Sequence, residues 1–150
     1  MSTNKTLASK TTNSGPTNSA DSATGALTSN STVACALNGP ALVVTVLADQ
    51  LRDIATVQSF REGVLSTLEK STIRNVIIDL SRVKHIGSVA FLAFLAVRRQ
   101  SGVDRIVLCN LSEFVQELFR MCQLIATGNG KAAPFEQAAT LEEALKFCNQ

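Results

Sequence analysis

Asn75-Val-Ile-Ile-Asp-Leu80, Ser81-Arg-Val-Lys-His-Ile86, Gly87-Ser88 and Val89-Ala-Phe-Leu-Ala-Phe-Leu-Ala-Val97-Arg-Arg-Gln100 run on without a break and pass from a β pattern to a helical one across a short polar hinge. The first run is short, β-branched and apolar almost throughout, as in a central strand covered on both faces. The last is too long for a strand and closes on Arg98, Arg99 and then Gly102, the basic last turn and glycine stop of a helix. Strand, hinge and helix are half of a βαβ unit. Ser88 falls where the helix begins, so its hydroxyl is expected to be the N-cap.

Outward from this stretch, the sequence alternates. Val33-Ala-Cys-Ala-Leu37 and Ala41-Leu-Val-Val-Thr-Val-Leu47 are two apolar runs joined by Asn38-Gly39-Pro40, a hairpin signal. Asp53 to Lys70 carries Val57, Phe60, Val64, Leu65 and Leu68 at helical spacing, with Asp53 as the expected cap. Asp104 to Cys109 repeats the buried-strand pattern. Asn110-Leu111-Ser112 leads into a helix with Val115, Leu118, Phe119 and Cys122 on one face. Gln123 to Ala132 looks like a loop, and a short edge strand is expected around Ala133-Pro134-Phe135. Thr140-Leu-Glu-Glu143 is a capping box opening a last helix with Leu141, Ala144, Leu145 and Cys148. The resulting order, β-β-α-β-α-β-α-(β)-α, implies a mixed, mostly parallel α/β sheet of four to five strands with about four helices.

The chain before this behaves differently. More than half of residues 1–31 are Ser, Thr or Asn, with Gly15-Pro16 in the middle, too little apolar surface to offset chain entropy. A disordered tail over 1–31 and one domain over 32–150 are expected. A transit peptide would carry arginines, and only Lys5 and Lys10 are basic here.

Composition narrows the function. At 150 residues and 45% hydrophobic content the chain can bury one core. A formal charge of +2 without a dense basic patch argues against nucleic acid or an anionic membrane as partner. Cys35, Cys109, Cys122 and Cys148 are scattered, without a CxxC pair, and fit buried thiols in a reducing cytoplasm. With one histidine and no ligand-like spacing, no metal or other cofactor is expected. No apolar run reaches the roughly 18 residues of a membrane span.

Catalysis has little to stand on. His85 is the only histidine, Ile86-Gly87-Ser88 matches a nucleophile elbow only in part because Ala90 replaces its second glycine, and no third triad member is evident. Neither Glu142-Glu143 nor Asp49 with Asp53 makes a carboxylate pair in an apolar cleft, and no phosphate-binding glycine loop is present. The helix after Ser88 is apolar over a wider arc than packing on a sheet requires. Two explanations stand: full enclosure, or a surface near Ser88, Val89, Leu92 and Ala93 left open for a protein. In the second case Ser88 is a ready switch. A phosphate adds about −1.5 to −2 charges, which a helix N-terminus accepts with roughly 0.3–1 kcal/mol of stabilisation, whereas a docked partner must desolvate it.

The run from Asn75 to Leu95 resembles the core of the STAS domain, the fold of bacterial anti-sigma factor antagonists. The resemblance extends over roughly Thr32 to Asn149, through Val107-Leu-Cys-Asn-Leu111, Val115-Gln-Glu-Leu-Phe119 and Pro134-Phe-Glu-Gln-Ala-Ala-Thr-Leu-Glu-Glu-Ala-Leu145. It implies a cytoplasmic, non-catalytic regulator of transcription that captures an anti-sigma factor which is also a serine kinase, and is released when a hinge serine is phosphorylated. A phosphatase and a weak homodimer are further expectations. The family's hinge, Asp-Ser-Ser-Gly-Leu, puts its phosphorylated serine on Ser88, with Gly87, Val89, Ala90 and Phe91 departing from it. Gly87, Ser88, Val89 and Leu92, with Asp49 and Asp53 from the loop after the second strand, form the expected partner surface. A constitutive STAS scaffold, a lipid-transport subunit, a serine hydrolase at Ser88, and a Ser88 that merely caps its helix are the alternatives.

Overall fold

Side chains point alternately to opposite sides along three neighbouring strands, and this alternation creates the two faces on which the molecule is built. In the computed structural model, which describes residues 26–125 and 133–149, these are β3 (Ala41–Val46), β5 (Asn75–Asp79) and β7 (Arg105–Cys109). Leu42, Val44, Val76, Ile78, Ile106 and Leu108 point to one side and join the larger core. Ala41, Val43, Ile77, Val107 and Cys109 point to the other. Strands covered on both faces need near-continuous apolar sequence, which is why Asn75-Val-Ile-Ile-Asp79 shows no polar alternation.

The main sheet has the order β1-β2-β3-β5-β7-β8. Here β1 is Ala26–Ser29, β2 Val33–Asn38 and β8 Glu136–Ala138. β1, β2 and β3 pair antiparallel, and β3, β5, β7 and β8 pair parallel. A two-residue loop joins β2 to β3, with Asn38 opposite Ala41 and Gly39 at φ +60° in its first position. Glycine takes that conformation without strain.

Three helices cover the larger core. α1 (Ile54–Glu69) buries Val57, Phe60, Val64 and Leu68; α2 (Ser88–Arg98) buries Ala90, Ala93, Phe94 and Val97; α3 (Glu113–Met121) buries Val115 and Phe119. Phe94 is the centre of this side, with its ring 5.0 Å from Phe60, 5.3 Å from Phe119 and 6.1 Å from Phe135. Among the described residues, α4 (Leu141–Cys148) alone covers the opposite face, through Ala144 and Cys148.

The mixed, mostly parallel sheet and four helices agree with the sequence, and three departures have physical causes. The sheet gains a sixth strand because β1 lies inside the stretch assigned to the tail, so the described fold starts six residues before Thr32; residues 1–25 are outside the described residues. Asn30 explains the join: its side-chain oxygen accepts from the N–H groups of Thr32 and Val33 at 2.8 and 2.9 Å, turning β1 into β2. The strand expected at Ala133-Pro134-Phe135 is displaced to β8, past Pro134, while Phe135 makes one parallel bridge to Ile125. Of the loop expected from Gln123 to Ala132, residues 126–132 are outside the described residues. Finally, Cys122 is exposed while the other three thiols are buried, because α3 ends at Met121 and Cys122 is its C-cap.

Candidate functional site

Between β3 and α1 the chain makes a two-residue strand, β4 (Gln50–Leu51), and between β5 and α2 a second one, β6 (His85–Ile86). They pair parallel as a separate small sheet, Gln50 opposite His85 and Leu51 opposite Ile86. Leu51 and Ile86 are buried beneath it, while Gln50 and His85 are exposed. The Asp49 carbonyl accepts from the N–H groups of Lys84 at 2.8 Å and His85 at 3.3 Å, and the Leu51 carbonyl accepts from the Gly87 N–H at 2.9 Å. Asp49 to Asp53 and Gly87 to Leu92, distant in sequence, are thereby brought together.

This pairing corrects the expected cap. Extended backbone runs through the hinge as far as Gly87, at φ −107° and ψ 169°, so Gly87 is the N-cap, and Ser88 is already the first helical residue with no side-chain capping bond. Ser88 is exposed. The hydroxyl is therefore not spent on the helix, and the reading of Ser88 as a mere capping residue loses its basis.

Of the two loop carboxylates, Asp53 has a structural task. It caps α1, accepting from the Thr56 N–H and the Thr56 hydroxyl, both at 2.9 Å, and these bonds hold its pKa below the ordinary carboxylate value. Asp49 is exposed beside the hinge.

Next to Ser88, α1 and α2 leave an open groove of about 380 Å³ lined by Ile54, Val57, Gln58, Arg61, Val89, Leu92, Ala93 and Ala96. Ile54 and Leu92 stand on its two sides, 65% and 67% exposed. The wide apolar arc of α2 thus has both expected explanations at once: Ala90, Ala93, Phe94 and Val97 are enclosed, and Leu92 faces out. Arg61 is the one charged residue among those lining the groove. Ile54 was not among the expected site residues. Its signal was faint: a large apolar side chain directly after a cap residue and off the stripe formed by Val57, Phe60 and Val64.

A second exposed apolar stripe lies on α3, where Phe114 and Met121 are uncovered. The Phe114 ring meets His85 edge-on at 6.2 Å. Among the described residues no hydrogen bond links His85 to Ser88, and the His85 ring lies edge-on to Phe114 instead. Among the described residues no group of three His, Cys, Asp or Glu side chains is placed to hold a metal, and no helix is long and apolar enough to cross a membrane.

Among the described residues, a mixed sheet with three helices on one face and one on the other, carrying an exposed serine beside an apolar groove, makes a small α/β domain. The chain belongs to the STAS domain family, whose sequence model matches residues 39–144. Among solved structures it is similar to a proposed anti-sigma factor antagonist from Thermotoga maritima, at 18% identity and a TM-score of 0.60, over 77% of this chain and 93% of that one. It is also similar to the anti-sigma factor antagonist SpoIIAA in its unphosphorylated form, at 16% identity and a TM-score of 0.55, over 83% of this chain and 98% of that one. No curated protein sequence matches it.

Proposed function

We propose that this domain is a non-catalytic, protein-binding switch: an anti-sigma factor antagonist that seats an anti-sigma factor/serine kinase on the α1–α2 groove and is released by phosphorylation of Ser88. The observation that carries the reading is an exposed Ser88, not used as the helix cap, at the start of the helix whose exposed Leu92 lines the groove with Ile54. The similarity to two proteins named as anti-sigma factor antagonists supports the choice of partner.

The energetics favour a switch. Docking that covers Leu92 and Ile54 gains about 1.5–3 kcal/mol for each side chain fully buried. The kinase would transfer the γ-phosphoryl group of ATP to the Ser88 oxygen, with ADP and a proton released. The added charge of about −1.5 to −2 sits in the first turn of α2, where a helix tolerates it, so the domain stays folded. A partner covering that group must strip it of water, and each 1.4 kcal/mol of cost is about tenfold in affinity. Asp49, Gly87 and Val89 complete the contact surface around the hydroxyl.

Incubation with the cognate serine kinase and ATP, followed by intact mass measurement, tests the proposal. One phosphate is expected on the wild type and none on Ser88→Ala. Equal phosphate on both proteins, or none on either, would refute it.

A further inference from the structure

Arg52 is the residue that follows β4, and Gly87 the one that follows β6. Continuing the register of Gln50 with His85 and Leu51 with Ile86 sets Arg52 beside Gly87. The two backbones are in contact there: a Cβ built on Gly87 would lie 3.4 Å from the Arg52 Cα. Arg52 is exposed and makes no ion pair among the described residues, and the hydroxyl of Ser88, one residue beyond Gly87, is exposed as well. Gly87 contributes no side chain between them. The other charged groups at this end are accounted for by position: Lys84 and His85 on the β6 side, Arg82 before them, and Asp49 and Asp53 on the β4 side, with the Asp53 carboxylate held by Thr56.

Resting on the phosphorylation reading above, we infer that Arg52 is the counter-ion of phosphorylated Ser88, folding its guanidinium onto the phosphoryl oxygens across Gly87. A guanidinium presents paired N–H donors suited to such oxygens. In the unmodified protein that fork is offered outward, to an acidic group of the docked partner. In the phosphorylated protein it is taken by the domain's own phosphate. Modification then acts twice, adding an anion at the groove mouth and withdrawing the cation that the partner would use.

The test is to incorporate phosphoserine at position 88 during translation of the full chain and to follow its second ionisation by ³¹P NMR. An ordinary phosphoserine has a second pKa of about 6, and a nearby cation lowers it. We expect the value in the wild-type background to lie about half a unit to one unit below that in Arg52→Gln, a three- to tenfold change in the ionisation constant. Lys84→Gln should leave it where it is in the wild type, and Arg52→Lys should keep part of the shift. Repeating the series with His85→Gln removes the imidazole from the comparison. Identical titration with and without Arg52, or a shift that follows Lys84 instead, would overturn the inference. Because no kinase is involved in placing this phosphate, such a result leaves kinase recognition of Ser88 untouched, and failure of a kinase to modify Ser88 leaves the Arg52 contact intact.

Discussion

The N–H of Gly87 donates to the carbonyl of Leu51 at 2.9 Å, one residue beyond the paired Leu51 and Ile86. This bond joins the start of α2 to the strand that leads into α1, so both walls of the groove are referenced to one small sheet. It also keeps Gly87 extended and makes it, rather than Ser88, the cap of α2.

Gly87→Asp should be tolerated and slightly stabilising. The backbone at φ −107° suits any residue, the added Cβ meets only ordinary contact at 3.4 Å, and aspartate caps better than glycine by a few tenths of a kcal/mol. Urea unfolding measures this, with a small rise in midpoint expected and a fall contradicting the assignment of the cap.

Leu92 and Phe94 are two residues apart on α2 and should behave oppositely. Phe94→Ala removes a fully buried ring packed on three others and should cost about 3–5 kcal/mol. Leu92→Ala, at a side chain 67% exposed, should change stability by no more than about 0.5 kcal/mol. Its effect is expected in partner affinity. Denaturation of both variants, with calorimetric titration of the second, separates packing from docking.

Gly63→Ala should destabilise the domain although alanine is the better helix former by about 1 kcal/mol. A Cβ at Gly63 would come 2.5 Å from Val33 Cγ2 and 3.0 Å from the Asn30 amide nitrogen, where α1 lies against the β1–β2 corner. Val33 is fully buried and β-branched, so it has little room to turn away. A net loss of about 1 kcal/mol or more in urea unfolding is expected from overpacking, and a gain would show that the corner yields.

How much of this was legible follows from which interactions are local. Asp53 and Thr140 were legible as caps because a cap bond spans three residues, and the structure has Asp53 accepting from Thr56 and Thr140 from Glu143. The doubly buried strands were legible from unbroken apolar runs. The pairing of β4 with β6 was not, since two residues carry no periodicity and the bonds join segments more than thirty positions apart. That pairing moved the cap from Ser88 to Gly87 and brought Asp49 and Arg52 to the hinge. The groove was half legible: an over-wide apolar arc marked α2, but Ile54 became part of it only through the packing of α1 beside α2.

The buried thiols predict a pH dependence. Burial, and then the nearby Asp79 carboxylate, pushes Cys109 up to about 12, and burial also raises Cys35 and Cys148. A group whose pKa is higher in the folded state contributes stability below its unfolded value and loses it as pH rises. Stability should therefore decline from about pH 9 upward, more steeply in the wild type than in Cys109→Ala; equal slopes would contradict this. At neutral pH a maleimide should label exposed Cys122 first, and the other three only after unfolding.

The central claim is that charge on Ser88 releases a partner from an otherwise unchanged domain, and it is tested most directly by one titration. Calorimetry of the cognate anti-sigma factor against the unmodified chain and the chain bearing phosphoserine at position 88, with thermal unfolding of both, supplies the comparison. The account predicts at least a tenfold weaker Kd for the phosphorylated chain, about 1.4 kcal/mol, with no loss of Tm. Equal affinity of the two forms, or weaker binding accompanied by unfolding, would contradict it.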